Sequence, residues 1–380
     1  MKNLLTMRSG EVQIPLFVAV LIFFTLLASA GCVNKRTNSE PTMAKTGAMF
    51  RQTLQHDGIE RDYIVYLPTS YAIDTSLPLI IALHGYGGTA TGFAMETSAG
   101  LNHYAEKEGF IAVYPQGSHF IAIDKTQKPM LVSSWNDLAG NQSASALGPM
   151  CSAESVQYPC PPECGDCGRC HWTACYDDLG FIKKMLSEIQ SKFHINKNRQ
   201  YLLGFSNGAT MAHRLACEFD NEFAAVALSN GRLQRGYSCT PDEPMPLLQI
   251  NGGLDTAVPA DGSTSADGYF YTPSSIVAKQ WAIQAQCNNP LRQWNNALSR
   301  NEGLNCNIYD DCNNPETEVI SCIWPKGLHT WPGNMKGGGW CVDALQMDNI
   351  KQLPQCKKPA EENDVWGSEL IWSFFEQHSK

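Results

Sequence analysis

The chain has 380 residues, 43% of them hydrophobic, and a formal net charge of −9 at pH 7. This length allows one large α/β domain or two smaller ones, and the apolar content is ordinary for a protein with a sizeable core. The acidic balance leaves no basic surface of the kind that contacts phosphates, so we expect no nucleic-acid partner.

The first 31 residues have the pattern of an export signal. Lys2 and Arg8 precede an apolar run at residues 14–30 that ends in small residues. Two cleavages fit this end: ordinary signal peptidase after Ala30, or lipoprotein processing that leaves Cys32 acylated. We favour the lipoprotein signal.

The residues after the signal divide into a short tether and one domain. Residues 32–45 are polar and predict a tether, and residues 46–380 predict the catalytic domain. No later stretch is long and apolar enough to span a bilayer. We therefore expect an extracellular or cell-surface protein that contacts the membrane only through a lipid on Cys32. We also expect a monomer.

Apolar runs too short for helices predict buried strands. Apolar residues at helical spacing predict helices after Asp177 or Asp178, after Gly208 and at the C-terminus. The segment before Trp135 looks like a loop. Strands alternating with helices favour an α/β fold with one mostly parallel sheet and helices on both faces. The predicted strands are 61–68, 77–83, 110–115, 201–203, 223–228, 246–250 and 319–324.

The chain contains 15 cysteines, and 14 remain when Cys32 is set aside. An even number in an exported chain predicts disulfides. Six of the cysteines fall in residues 138–176. We interpret this stretch as a surface insertion closed by its own bridges, with too few apolar residues for a core. The spacing Cys164-x2-Cys167-x2-Cys170 beside His171 would also suit zinc or an iron–sulfur cluster. Export favours disulfides, and we expect no metal or other cofactor.

Residues 204–208, Gly-Phe-Ser-Asn-Gly, predict a nucleophile elbow. They stand between an apolar strand and a helical pattern, which is the context that this motif requires. The strand and helix cross closely in such a turn, so the flanking positions accommodate no Cβ. Ser206 is the predicted nucleophile. By itself the pentapeptide could also be a plain glycine-bracketed turn.

Three further strand ends carry residues that complete an acyl-transfer site. Asp255 follows the strand at 246–250, His329 follows the strand at 319–324, and a glycine-rich loop at 84–88 follows the strand at 77–83. The order Ser, Asp, His is that of α/β-hydrolases. His329 would act as base and then acid, Asp255 would orient the imidazole, and the backbone N–H groups of Tyr86 and Asn207 would hold the oxyanion.

Each assignment has a competitor. Asp261 is the nearest alternative acid. The other candidate bases lie on less suitable patterns: His84, His103, His171 and His213. Trp135, Trp331 and His84 are candidate substrate-binding residues. The two tryptophans could equally be core aromatics instead of pocket walls that stack on an aromatic or sugar ring.

The chain resembles the polyhydroxybutyrate depolymerase/feruloyl esterase family, which includes acetylxylan esterases. The resemblance covers about residues 50–380 and implies a secreted α/β-hydrolase with Ser206, Asp255 and His329 as its triad. Asn251 stands where the family usually has histidine, Leu328 where glycine usually precedes the histidine, and the cysteine-rich insertion is extra. The matching motifs begin at His84, Tyr114, Trp135, Asp177, Gly204, Leu254 and His329.

The resemblance and the motifs together predict an exported serine esterase that needs no cofactor. Its expected substrates are feruloyl or acetyl esters of plant polysaccharide, with polyhydroxybutyrate or its oligomers as the alternative. A different class, a non-catalytic surface protein that binds a partner or metal through its cysteines, also remains open. The insertion follows a strand end, so we expect it to border the mouth of the active site and restrict substrate entry.

Overall fold

The computed structural model describes most of the chain from Lys45 onward. The predicted signal, Cys32 and nearly all of the tether lie outside the described residues. The described residues are 45–95, 100–123, 126–127, 129–138, 144–159, 161–165, 175–219, 221–334, 341, 356 and 366–380.

Strands and helices alternate through the described chain. The strands are β1 Ala48–His56, β2 Ile59–Leu67, β3 Leu77–Leu83, β4 Ile111–Pro115, β5 Ser118–Ile123, β6 Pro129–Ser134, β7 Ala144–Ser145, β8 Gly148–Pro149, β9 Ile195–Phe205, β10 Ala225–Ser229, β11 Leu247–Gly252, β12 Arg292–Gln293, β13 Asn305–Tyr309 and β14 Val319–Trp324. The α-helices are α1 Ala90–Met95, α2 Leu101–Glu108, α3 Asp178–Lys192, α4 Asn207–Glu218, α5 Ser274–Gln284, α6 Ala297–Asn301 and α7 Trp366–Phe375.

One large sheet organises the described residues, with the strand order β1-β2-β4-β3-β9-β10-β11-β14-β13-β12. The strands from β4 to β14 in this order pair in parallel, and the flanking strands at both edges are antiparallel. The predicted fold class, an α/β-hydrolase fold with a mostly parallel sheet, is confirmed. Because parallel strands point the same way, their carboxyl ends form one rim.

Apolar side chains cover both faces of this sheet. Along β3, Leu79 and Ile81 face the cluster that packs under α3, α4 and α5, whereas Ile80 faces the cluster under α1, α2 and α7. This alternation follows from the two-residue period of a strand. All seven residues of β3 are buried, as the unbroken apolar run predicts. Each large aliphatic side chain buried in this way contributes roughly 1.5–3 kcal/mol to folding.

The sequence prediction was wrong at the segment before Trp135. We expected a loop there, but β5 and β6 pair as an antiparallel hairpin outside the main sheet. Its outward side chains, such as Ile121 and Ile123, are exposed. The hairpin therefore lacks the continuous apolar run that identified the buried strands, and its alternating pattern was too short to stand out. The edge strand β1 was missed for the same reason, because most of it is only half-buried.

Disulfides join cysteines across the described part of the chain, as the sequence predicts. Cys306 and Cys322, for example, are directly opposite each other on β13 and β14. Cys164 is bonded to Cys175, so it is not available as a metal ligand. The other members of the suspected metal motif, Cys167, Cys170 and His171, lie outside the described residues. The remaining described pairs are Cys217–Cys239, Cys287–Cys312 and Cys341–Cys356.

The cysteine-rich insertion does contribute to a small core, contrary to our expectation. Met150 and Cys151 are buried together with Val258, Tyr269 and Tyr271, which belong to the loop after Asp255. Backbone hydrogen bonds join the two segments, including one from the Phe270 N–H to the Met150 carbonyl. The sequence hid this cluster because its members are separated by more than 100 residues.

None of the helices in the described part of the chain has the length and apolar character needed to cross a bilayer.

Candidate active site

The turn after β9 has the geometry of a nucleophile elbow. Ser206 adopts φ 54° and ψ −123°, a backbone conformation that is strained for a residue with a Cβ. The turn is tight on both sides: a Cβ on Gly204 would lie 2.2 Å from the Gly208 carbonyl oxygen, and a Cβ on Gly208 would lie 2.2 Å from the Leu83 carbonyl oxygen. Only glycine fits these two positions, as the motif requires.

The structure brings Ser206, His329 and Asp255 into one hydrogen-bonded line. The Nε2 atom of His329 lies 2.7 Å from the Ser206 hydroxyl oxygen, and its Nδ1 atom lies 2.7 Å from Asp255 Oδ2. A carboxylate beside Nδ1 keeps the proton on that nitrogen and leaves Nε2 as the acceptor for the serine proton. The arrangement therefore suits general-base activation of Ser206.

Burial and backbone bonds fix the acid. Asp255 is 5% exposed, and its Oδ1 atom accepts hydrogen bonds from the backbone N–H groups of Ala257 and Val258 at 2.8 and 2.9 Å. These donors leave Oδ2 directed to His329. The loop that carries His329 is joined to the acid turn by a bond from the Leu254 N–H to the Gly327 carbonyl.

The two predicted oxyanion donors flank Ser206. Asn207 is the first residue of α4, where an N–H has no intrahelical acceptor. Tyr86 belongs to the glycine-rich loop, which lies against the elbow: a Cβ on Gly85 would be 3.1 Å from the Ser206 Cβ. Within the described chain, no acceptor pairs with the backbone N–H of either residue. Both therefore remain candidates for holding an oxyanion.

The Asn207 side chain anchors the start of α4. Its Oδ1 atom accepts from the Trp135 N–H at 2.8 Å, and its Nδ2 atom donates to Asp137 Oδ2 at 3.1 Å. Asp137 is fully buried and also accepts from Gln234. Trp135 and Asp137 therefore hold the Asn207 side chain in place from a distant part of the chain, a contact that the sequence alone did not reveal.

The candidate substrate-binding residues are buried. Trp135 is 0% and Trp331 is 1% exposed, so neither presents a ring face to a ligand, and the alternative interpretation as core aromatics fits them. His84 is also 1% exposed. Its Nε2 atom accepts from the Gly117 N–H at 2.9 Å, and its Nδ1 atom faces the Gly85 carbonyl at 2.8 Å. His84 is the first residue of the glycine-rich loop and therefore joins that loop to Gly117, between β4 and β5.

The competing acid and bases lie outside the line of three. Asp261 is exposed and accepts from the Ser263 N–H. His103 is exposed on α2. His213 is buried on α4 beside the Cys239 carbonyl, at 2.9 Å. His171 lies outside the described residues.

A buried cation stabilises the acid loop, and no sequence pattern predicted it. Arg232 is 0% exposed, and its guanidinium donates to Asn251 Oδ1 at 3.1 Å and to the carbonyl oxygens of Pro259 and Thr272. Burial lowers the pKa of Arg232 to about 10, so the group stays charged at neutral pH. Asn251 serves here as an acceptor for Arg232.

Two groups of side chains in the described chain have metal-ligating atoms close together. In the first, His213 lies beside Cys217 and Cys239, whose sulfurs are joined in a disulfide. The second is His56, Asp57 and Asp177 near the surface, where Asp177 already caps α3. Neither group includes a residue of the Ser206 line.

Comparison with known proteins places the chain in an enzyme family. The family model described as serine hydrolase (FSH1) matches residues 75–271, just over half of the chain. A protein of Nocardia uniformis subsp. tsuyamanensis named as an esterase, NocK, is 25% identical over 70% of this chain and 69% of its own length. Feruloyl esterase B of Piromyces equi is 25% identical over 66% of this chain and 39% of its own length.

One solved structure with a similar backbone is an acetyl xylan esterase from Aspergillus awamori. It is 15% identical, covers 75% of this chain and 95% of its own, and has a TM-score of 0.47. The predicted resemblance to feruloyl and acetylxylan esterases and the predicted enzyme class, a carboxylic ester hydrolase, are confirmed by the family match and the curated relatives. The chain belongs to the serine hydrolase (FSH1) family.

Proposed function

We propose that the chain is an exported serine esterase that cleaves feruloyl or acetyl esters of plant polysaccharide through Ser206, His329 and Asp255. One observation carries this proposal: the unbroken line from the Ser206 hydroxyl through His329 to Asp255, with both contacts at 2.7 Å. Each group in that line performs a step that ester hydrolysis needs.

In acylation, the Ser206 oxygen attacks the ester carbonyl carbon while its proton moves to His329 Nε2. The carbonyl oxygen becomes an oxyanion, which the backbone N–H groups of Tyr86 and Asn207 would hold. Losing one such donor typically raises the barrier by about 3–4 kcal/mol. The imidazolium, stabilised by Asp255, then gives its proton to the departing alcohol, and an acyl-enzyme remains.

Deacylation repeats these steps with water. His329 Nε2 removes a proton from the water as its oxygen attacks the acyl carbon, and the same two N–H groups hold the second oxyanion. Collapse returns the proton to the Ser206 oxygen and releases the carboxylic acid. No step requires a group outside this chain except the ester and water.

The names of the relatives favour feruloyl or acetyl esters of plant polysaccharide as the substrates. The chain is similar to a feruloyl esterase and to an enzyme named as a bifunctional acetylxylan esterase/xylanase. Polyhydroxybutyrate and its oligomers stay as the competing substrates, and a non-catalytic cysteine-rich binding protein stays as the competing class. The disulfides of the described chain support export, because such bonds persist in oxidising compartments. Lipid attachment at Cys32 and a monomeric state remain part of the proposal.

A panel of esters tests this function. Methyl ferulate, acetylated xylan, hydroxybutyrate oligomers and p-nitrophenyl acetate would be offered to the wild-type protein and to Ser206→Ala, with circular dichroism to check the fold. We expect turnover of methyl ferulate or acetylated xylan that Ser206→Ala abolishes. Preference for the hydroxybutyrate oligomers would show that polyester, and not polysaccharide ester, is the substrate. Activity that survives in folded Ser206→Ala would overturn the mechanism.

A further inference from the structure

The turn after β10 contacts all three segments that carry the proposed triad, and Asn230 lies at its centre. We propose that Asn230 is a positioning residue that sets His329 and Asp255 relative to each other and to Ser206. The inference rests on the proposed function, because it concerns the same three side chains. Asn230 is 2% exposed, and the sequence-based assignments did not include it.

The side-chain amide of Asn230 joins the acid turn to the base loop. Its Oδ1 atom accepts a hydrogen bond from the Gly252 N–H at 2.7 Å, and Gly252 ends the strand that leads to Asp255. Its Nδ2 atom donates to the Thr330 carbonyl at 2.6 Å, and Thr330 directly follows His329. One planar amide therefore sets the separation between the two loops.

The backbone of the same turn holds the nucleophile. The Ser206 N–H donates to the Ser229 carbonyl at 2.9 Å. On the other side of Asn230, a Cβ on Gly231 would lie 2.1 Å from the Ser206 carbonyl oxygen. The residues on either side of Asn230 are thus packed directly against the elbow.

Sheet order explains why this one position can reach all three segments. β10 lies between β9, which ends before Ser206, and β11, which leads to Asp255, and β14 follows β11 in the sheet. A side chain at the carboxyl end of β10 can therefore bridge to β11 and reach toward the His329 loop. No other strand end lies between the nucleophile and the acid in this sheet.

The backbone conformation at Asn230 is one that few residues with a side chain adopt. Its φ is 48°, in the left-handed region that favours glycine. Asparagine tolerates this region better than most residues and brings an amide with both a donor and an acceptor. Glycine would relieve the backbone strain but would remove both hydrogen bonds. Asn230→Gly therefore separates the positioning effect from the conformational one.

The test compares Asn230→Gly with Asn221→Gly. Asn221 also has a positive φ, 56°, but it is exposed in the turn after α4 and outside the catalytic segments. For Asn230→Gly we expect kcat on p-nitrophenyl acetate to fall about 10–100-fold, since small misplacements of catalytic groups have effects of this size, while KM changes less than about three-fold. Asn221→Gly should match the wild type in both parameters.

A spectroscopic readout separates positioning from general loosening. The proton between His329 Nδ1 and Asp255 should give a downfield NMR signal in the wild type and in Asn221→Gly that weakens in Asn230→Gly. Near-UV circular dichroism and Tm measure the folded fraction. A second variant, Asn230→Asp, keeps an acceptor for the Gly252 N–H but places an oxygen against the Thr330 carbonyl, so its kcat should also fall.

The proposal is overturned if Asn230→Gly keeps kcat within about two-fold of the wild type. It is also overturned if the loss of kcat only equals the loss of folded protein, or if neither variant at position 230 folds, because Asn230 would then be structural. These outcomes are distinct from failure of the proposed function, which would appear as activity in folded Ser206→Ala.

Discussion

The rim that carries Ser206, Asp255 and His329 differs in construction from residues 144–159, the longest described segment of the cysteine-rich insertion. The rim stands on parallel strands, of which β3, β10 and β11 are buried along their whole length, and main-chain hydrogen bonds join its loops. The segment is largely exposed, with Leu147 68% exposed, and its buried hydrophobic residues, Met150 and Cys151, belong to one small cluster. The rim is therefore fixed by the whole sheet, whereas the segment depends on its contacts with the loop after Asp255.

This difference suggests a division of roles. The chemistry requires atoms placed to within a fraction of an ångström, which a buried sheet provides. The choice of substrate requires a surface that can vary without loss of the fold. The segment meets the rim where the Tyr158 ring contacts Tyr86, with 5.2 Å between ring centroids. We therefore expect changes at the rim to affect kcat for every ester, and changes in the segment to affect some esters more than others.

The largest expected effect is at the acid. Asp255→Asn should lower kcat about 10⁴-fold, because an amide no longer holds the imidazole in the required tautomer or stabilises its charge. The measurement is kcat on p-nitrophenyl acetate and on methyl ferulate, and both should fall equally. Asp261→Asn is the matched control and should leave kcat near the wild-type value. A folded Asp255→Asn enzyme with a tenth of the original kcat would contradict the assignment.

An intermediate effect concerns stability in acid. Burial lowers the pKa of His84 and of His213 from 6.5 to about 4, so both rings are neutral in the folded protein. As the pH falls, the two rings take up protons in the unfolded chain near pH 6.5, before they do so in the folded protein. The stability that the neutral rings contribute is therefore fully present above pH 6.5 and is lost as the pH falls toward 4. Each histidine should account for about 3 kcal/mol of that loss.

Urea unfolding between pH 7 and pH 4 checks this expectation. His84→Gln removes one titrating ring, so the free energy of unfolding should fall less steeply with acid than in the wild type. The quantity to compare is the slope of the free energy of unfolding against pH, because the substitution also alters stability at pH 7. Parallel curves for the two proteins would show that His84 does not contribute to the acid sensitivity.

The smallest expected effect separates the segment from the rim. Tyr158→Ala removes the ring beside Tyr86, so kcat/KM for methyl ferulate should change by about ten-fold while that for p-nitrophenyl acetate stays within about two-fold. Tyr158→Phe keeps the ring and loses the hydrogen bond to Asp267, so it should behave more like the wild type. An equal change for both esters would remove the distinction between the two regions.

Much of the sheet was predictable from sequence because strands buried on both faces are unbroken apolar runs. β3 was predicted to the residue, and α3 begins after Asp177, which caps it through the Gly180 N–H. The hairpin of β5 and β6 was not predicted, because its half-exposed pattern resembles a loop. For the strands of the sheet core, the continuous apolar run was the identifying pattern, and the hairpin lacks it.

The candidate site was predictable where residue types follow strand ends, as with Ser206, Asp255 and His329. The supporting residues were not, because their roles depend on which strands are neighbours. Asn230 and Arg232 contact the acid loop only because β10 lies beside β11, and no sequence pattern specified that order. The burial of Trp135 likewise became apparent only in three dimensions.

The most direct measurement of the central claim is covalent trapping of the nucleophile. A p-nitrophenyl phosphonate ester would be added to the wild-type protein and to His329→Ala, and the modified peptide would be identified by mass spectrometry. We predict one phosphonyl group on Ser206 in the wild type, formed together with loss of esterase activity, and little or none in His329→Ala. Modification of another residue, or equal labelling of Ser206 in the two proteins, would contradict the account.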